Sequence, residues 1–154
     1  MDTSPAAARV RLEISDERVR LAPDDGAAAI DLPVGTARLG RAGRLRRDPP
    51  GDDEIEAAIA TVEDALMPAL RRLPAHADWH TADPTARALA TALGAAVPGA
   101  IAIDAVEALF NDMARASALG GWGGGVRLDA AQAAYLLILR ECLHHAGVTR
   151  LRIE

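Results

Sequence analysis

Residues 10–32, VRLEISDERVRLAPDDGAAAIDL, decide how the rest of the chain is read. Val10, Leu12 and Ile14 alternate with Arg11 and Glu13, the period-two pattern of a strand with one buried face. Ser15, Asp16 and Glu17 supply turn chemistry, Val19 and Leu21 resume the alternation, and Asp24-Asp25-Gly26 is a hairpin signal before a third apolar stretch at 28–32. The expectation is three short antiparallel strands in succession.

Beyond them the pattern changes. Arg41, Arg44, Arg46 and Arg47 lead into Asp48-Pro49-Pro50-Gly51, where two prolines forbid a continuous helix, so 40–51 reads as a loop. Ile55, Ile59, Val62, Leu66 and Leu70 then recur at intervals of three and four, which predicts a helix capped by Asp52 or Asp53 and kinked or ended by Pro68. A short strand is expected at 77–81. A helix starts at Asp83-Pro84, with the Asp83 carboxylate as its cap, and runs to about Leu93. Asp104 is the expected cap of a helix carrying Val106, Leu109, Phe110 and Met113. Five glycines around Trp122 form a flexible connector that exposes the indole. Residues 130–145 make a central helix closed by Gly147, and Val148, Leu151 and Ile153 a last strand. The order β-β-β-α-β-α-α-α-β is α/β and ribonuclease-H-like, the half-domain of actin-like ATPases.

Composition bounds the reading. With 154 residues, 50% apolar and 25% charged, the chain has material for one core. The 17 basic residues, all arginine, face 22 acidic ones, and the net charge of -5 argues against nucleic-acid binding. The absence of lysine reads as coding bias. Cys142 alone cannot form an intramolecular disulfide, no targeting segment is visible, and no apolar run approaches a membrane span, so a cytoplasmic protein without membrane contact is expected. The longest apolar run, 133–139, reads as a buried helix segment. Residues 1–8 are expected to be a frayed tail and 9–154 a single unit.

Two blocks carry a more specific resemblance. Residues 30–73, IDLPVGTARLGRAGRLRRDPPGDDEIEAAIATVEDALMPALRRL, and 131–154, AQAAYLLILRECLHHAGVTRLRIE, resemble the exopolyphosphatase/guanosine pentaphosphatase (Ppx/GppA) family. Leu32, Pro33, Gly35, Arg38, Leu39, Asp48, Pro49, Pro50 and Ile55 stand where that family has a strand, a D-P-P loop and a long helix. The likeness runs from Val10 to the end, but only over the second half-domain of the family's catalytic unit.

The departures from that pattern bear on function. The family's Gly-Gly-Gly-Ser turn, whose backbone amides approach phosphate, corresponds here to LEISDERVRL: Glu13 stands near the family's aspartate, and Ser15-Asp16-Glu17 replace the glycines. A second phosphate loop corresponds to WHTADPTARALA, with Trp79 and His80 in place of glycines. The resemblance therefore implies a retained fold, degenerate phosphate loops, and a non-catalytic interaction or scaffold subunit that works with a protein partner or as a homodimer. The alternative is a phosphohydrolase or nucleotide-binding half completed by dimerisation or a partner chain, with Ser15, Arg38 and Thr81 holding the anion. No cofactor and no metal is implied.

The other constellations have plainer readings. His76, Asp78 and His80 lie two apart but lack the four ligands of a structural zinc site, and read as a polar entry to a strand. His144 and His145 offset the negative end of a helix dipole. The arginines from Arg38 to Arg47 pair with the acidic block that follows them, although Arg38 is worth watching because the family keeps an arginine there. Cys142 reads as a buried, inert thiol.

Overall fold

The computed structural model describes residues 7–40 and 43–154. The first part of the expected tail, residues 1–6, and Arg41 of the arginine cluster lie outside the described residues. Chain order is β1 (Arg9–Ile14), β2 (Val19–Pro23), β3 (Ile30–Leu32), α1 (Thr36–Leu39), α2 (Asp52–Leu70), β4 (Asp78–Thr81), α3 (Pro84–Ala92), β5 (Gly99–Ala102), α4 (Ile103–Leu119), α5 (Ala130–Ala146) and β6 (Arg150–Ile153). The strands form one sheet in the order β3-β2-β1-β4-β6-β5. The β1, β2 and β3 meander is antiparallel, β1, β4 and β6 are parallel, and β5 closes the far edge antiparallel to β6.

Alternation gives this sheet one apolar face. Register places Leu12 opposite Leu21, Val10 opposite both Pro23 and Trp79, and Trp79 opposite Leu151, and these residues are buried together with Ile14, Val19 and Ile153. Helices α2, α4 and α5 pack against one another, with α5 also meeting β1. Residues 133–139 of α5 are buried without interruption, as expected for the central element of a layer. The opposite face carries Arg11, Glu13, Arg20, Asp31, His80 and Arg152, of which His80 is buried. Ion pairs such as Arg20 to Asp31 at 3.0 Å lace that surface.

Four details differ from the sequence reading. Strand β5 and the single turn α1 were not expected. Gly99-Ala100-Ile101-Ala102 offers one large apolar side chain, so alternation has nothing to register. Because β5 runs straight into α4, the cap of α4 is Ala102, and Asp104 sits in its first turn, where its charge still suits the dipole. Helix α2 is capped by Gly51, neither by Asp52 nor by Asp53. Glu54 reaches back to accept the Gly51 and Arg47 amides, each at 3.1 Å. Pro68 lies inside α2, which ends two residues later. Gly147 closes α5 at φ 68°, as read, and at the other end Asp129 accepts from the Gln132 amide at 2.8 Å while Gln132 Oε1 accepts the Asp129 amide at 2.9 Å.

Candidate functional site

In sheets of this class ligands bind beyond the carboxyl ends of the parallel strands. Here those ends are Ile14 of β1, Thr81 of β4 and Ile153 of β6, and the β1–β2 turn, α1 and the start of α3 lie by the first two. Asp83 occupies the position between them. Its Oδ2 accepts from the Ile14 amide at 2.8 Å and from the Tyr135 hydroxyl at 2.9 Å. Thr81 Oγ1 accepts the Asp83 amide at 3.1 Å. The carboxylate is therefore turned across to β1 and α5, and makes no side-chain cap on α3. This overturns the capping role expected of it. Two donors in the interior need an acceptor, and the satisfaction of Ile14 and Tyr135 outweighs a cap exposed to solvent.

Electrostatics at this point disfavour a second anion. Burial pushes the Asp83 carboxyl above its ordinary range, the Glu13 charge adds to the push, and the bonds from Ile14, Tyr135 and Thr81 pull it back only in part. Burial likewise raises the Tyr135 hydroxyl, with the neighbouring Asp83 charge acting in the same direction.

The three candidate anion ligands are dispersed around this carboxylate. Ser15 closes its own turn, its hydroxyl donating to the Arg18 carbonyl at 3.0 Å and accepting the Arg18 amide at 3.2 Å. Thr81 is fully buried, and its hydroxyl accepts the Asp83 amide. Arg38 donates to the Pro33 carbonyl at 3.3 Å from an exposed position on α1. Among the described residues no hydrogen bond or ion pair joins any two of these side chains. Ser15 and α1 do meet through the backbone, since the Thr36 amide donates to the Ser15 carbonyl at 3.0 Å and the Ala37 amide to the Asp16 carbonyl at 3.0 Å. Gly35 permits this: a Cβ there would stand 2.4 Å from the Asp16 carbonyl oxygen. The first amides of α1 are thus spent on the turn.

Other constellations resolve individually. His80 Nε2 lies 3.1 Å from both carboxylate oxygens of Asp24, and its Nδ1 is 2.8 Å from Glu154 but out of line for a hydrogen bond. The His80 bond is the main cause holding the Asp24 carboxyl below its ordinary range. Asp78 is exposed and His76 precedes the strand at φ 57°, so the three do not share one ligand face. Trp122 is half-buried against the core, and its indole donates to Asp48 at 2.6 Å while Arg127 holds the other Asp48 oxygen at 2.8 Å, in contrast to the exposed indole expected. Arg47 pairs with Asp53 and Glu54, as the charge pattern indicated. Cys142 is fully buried, and burial pushes its thiol up to about 12. Among the described residues, no helix is long and apolar enough to cross a membrane.

Comparison of structures places this arrangement among known folds. The chain is similar to the PPX-GPPA enzyme of Aquifex aeolicus, with TM-score 0.75 and 14% identity over 99% of this chain and 55% of that one. An exopolyphosphatase-like protein matches at TM-score 0.73 and 16% identity, covering 96% and 54%. An exopolyphosphatase from Cytophaga hutchinsonii matches at 0.66 and 13%, covering 96% and 53%. The chain has the actin-like ATPase, ribonuclease-H-like fold of these structures and spans about half the length of each. No family model and no curated protein matches the sequence.

Proposed function

We propose that this chain is a non-catalytic unit of the Ppx/GppA type that serves as an interaction or scaffold subunit. The observation that carries the reading is the Asp83 carboxylate, which takes the Ile14 amide and the Tyr135 hydroxyl at the strand ends. A group spent on two interior donors, beside Glu13, favours a structural role over cradling a polyanion. Its working partner is protein, either a second copy of the chain or another polypeptide, in the cytoplasm. A net charge of -5 disfavours nucleic acid as that partner.

A second reading has its own support. Because Asp83 turns away from α3, the first amides of that helix have no side-chain cap, and an uncapped helix start attracts anions. On this reading a phosphate-containing ligand sits near Thr81, with Ser15 and Arg38 completing the site when a partner supplies the opposite wall, and the assembly is a phosphohydrolase.

Phosphate release from polyphosphate and from guanosine pentaphosphate, measured on the purified chain across a concentration series, separates the two. The scaffold reading predicts release at the level of the blank throughout. Release that grows with chain concentration and is lost in Thr81→Ala and Arg38→Ala would overturn it in favour of the second.

A further inference from the structure

The far end of α5 carries a cluster that the strand-end site does not use. Glu141 is fully buried, and no apolar helix interior holds a carboxylate without compensation. One of its oxygens accepts from Arg140 at 2.6 Å, and the other lies 3.2 Å from His145 Nε2, one turn further along the helix. Across the interface, Glu63 of α2 brings Oε1 to 2.9 Å from the same Nε2. Arg140 is itself divided, since Glu107 of α4 accepts from it with both oxygens at 3.2 Å. Two carboxylates, Glu107 and Glu141, thus share one guanidinium, and a single imidazole nitrogen faces Glu141 and Glu63.

From this arrangement we propose that Glu63, Glu141 and His145 bind one zinc ion between α2 and α5. One N–H at Nε2 can point well at only one of two carboxylates on different helices, whereas a dication engages both and leaves the imidazole neutral. The geometry is close to what the metal requires. Zinc–ligand bonds of about 2.0–2.2 Å set neighbouring ligand atoms of a tetrahedral centre roughly 3.3 Å apart. The two histidine-to-carboxylate separations are 2.9 and 3.2 Å, and all three ligand atoms fall within 4.8 Å of one another. Arg140 on the remaining Glu141 oxygen fixes the orientation of that carboxylate, as outer partners of metal ligands do.

His145 and Ala146 border an open cavity of about 310 Å³ beside the ends of α2 and α5, with His76 and Trp79 on its wall. The fourth position of the centre is left to water. Its α5 ligands stand six and ten residues beyond Tyr135, about 9 and 15 Å at 1.5 Å per residue, so the centre is separate from the strand ends. Its role is to clamp α2 to α5.

The test is titration of the chelator-treated chain with zinc alone, followed by calorimetry, and with cobalt alone, followed by its visible bands. One equivalent is expected to bind with tetrahedral-type cobalt absorption. Glu63→Gln and His145→Gln should each weaken zinc by more than the roughly 10–100-fold that loss of an outer partner costs. His76→Gln, on the cavity wall, should leave it unchanged. Glu63 lies near the surface, so its variant keeps the fold and carries the test even if His145→Gln does not fold. Absence of stoichiometric uptake, or uptake that survives Glu63→Gln with unchanged affinity, overturns the proposal.

Discussion

Replacing Asp83 with alanine strips two interior donors of their acceptor. The Ile14 amide, 2.8 Å from Oδ2, and the Tyr135 hydroxyl, 2.9 Å away, each lose a bond to one oxygen. A buried donor left unpaired costs about 1–3 kcal/mol, and relief of the carboxylate's own desolvation returns part of this. The expected loss is about 2–4 kcal/mol for Asp83→Ala. Asp83→Asn keeps one acceptor oxygen on which both donors can converge, so about 1 kcal/mol is expected. Adding Tyr135→Phe removes one orphaned donor, so the Asp83→Ala and Tyr135→Phe pair should cost less than the sum of the singles, with a coupling of about 1 kcal/mol. Equilibrium urea unfolding measures all four. The pH dependence has a definite sign. The folded carboxyl titrates above its unfolded value, so its contribution is fully present below the ordinary aspartate range and is lost as pH rises through the folded value. The stability of the unsubstituted protein relative to Asp83→Asn should therefore shrink as pH rises through that window. Asp24, shifted the opposite way, is common to both proteins and cancels. An Asp83→Ala variant within about 0.5 kcal/mol of the original, or strict additivity with Tyr135→Phe, would refute the structural role.

Further outcomes follow from close contacts and burial. Gly35→Ala should destabilise by about 1–3 kcal/mol in the same unfolding assay, because its Cβ meets backbone of the β1–β2 turn that cannot give. Gly26→Ala, at φ 86° with open space around the added carbon, should cost only about 1 kcal/mol of conformational strain. Cys142 should label with a thiol reagent no faster than the chain unfolds, since its thiol is buried and pushed up to about 12. Labelling on the mixing timescale in native buffer would contradict its placement in α5.

Most of the layer architecture was legible because burial follows side-chain period. Val10, Leu12 and Ile14 mark β1, Ile55 to Leu66 mark α2, and the apolar run 133–139 with Gly147 marks α5. Strand β5 was not, since glycine and alanine leave no periodic trace and its pairing to β6 is tertiary. The Asp83 cap failed because its carboxylate found better donors elsewhere. Asp83 answers Ile14 and Tyr135, 69 and 52 positions away, a demand no local window contains. The same holds for His145, whose partner Glu63 lies 82 positions back, so that a pair of histidines near a helix end read only as dipole compensation. The Ser15, Arg38 and Thr81 candidates came from resemblance to a motif, which places residues along a chain but does not say which hydroxyls the backbone has already engaged.

The most direct test of the account is thermal unfolding of the purified chain with and without ATP, guanosine pentaphosphate and medium-chain polyphosphate. A ligand at one hundred times its dissociation constant adds about 2.7 kcal/mol, a rise of several degrees for a domain of this size. With Asp83 committed to Ile14 and Tyr135, the melting temperature should be the same in all four conditions. A rise selective for one of the three phosphates, abolished by Thr81→Ala, would contradict the claim that this strand-end site no longer takes a phosphate.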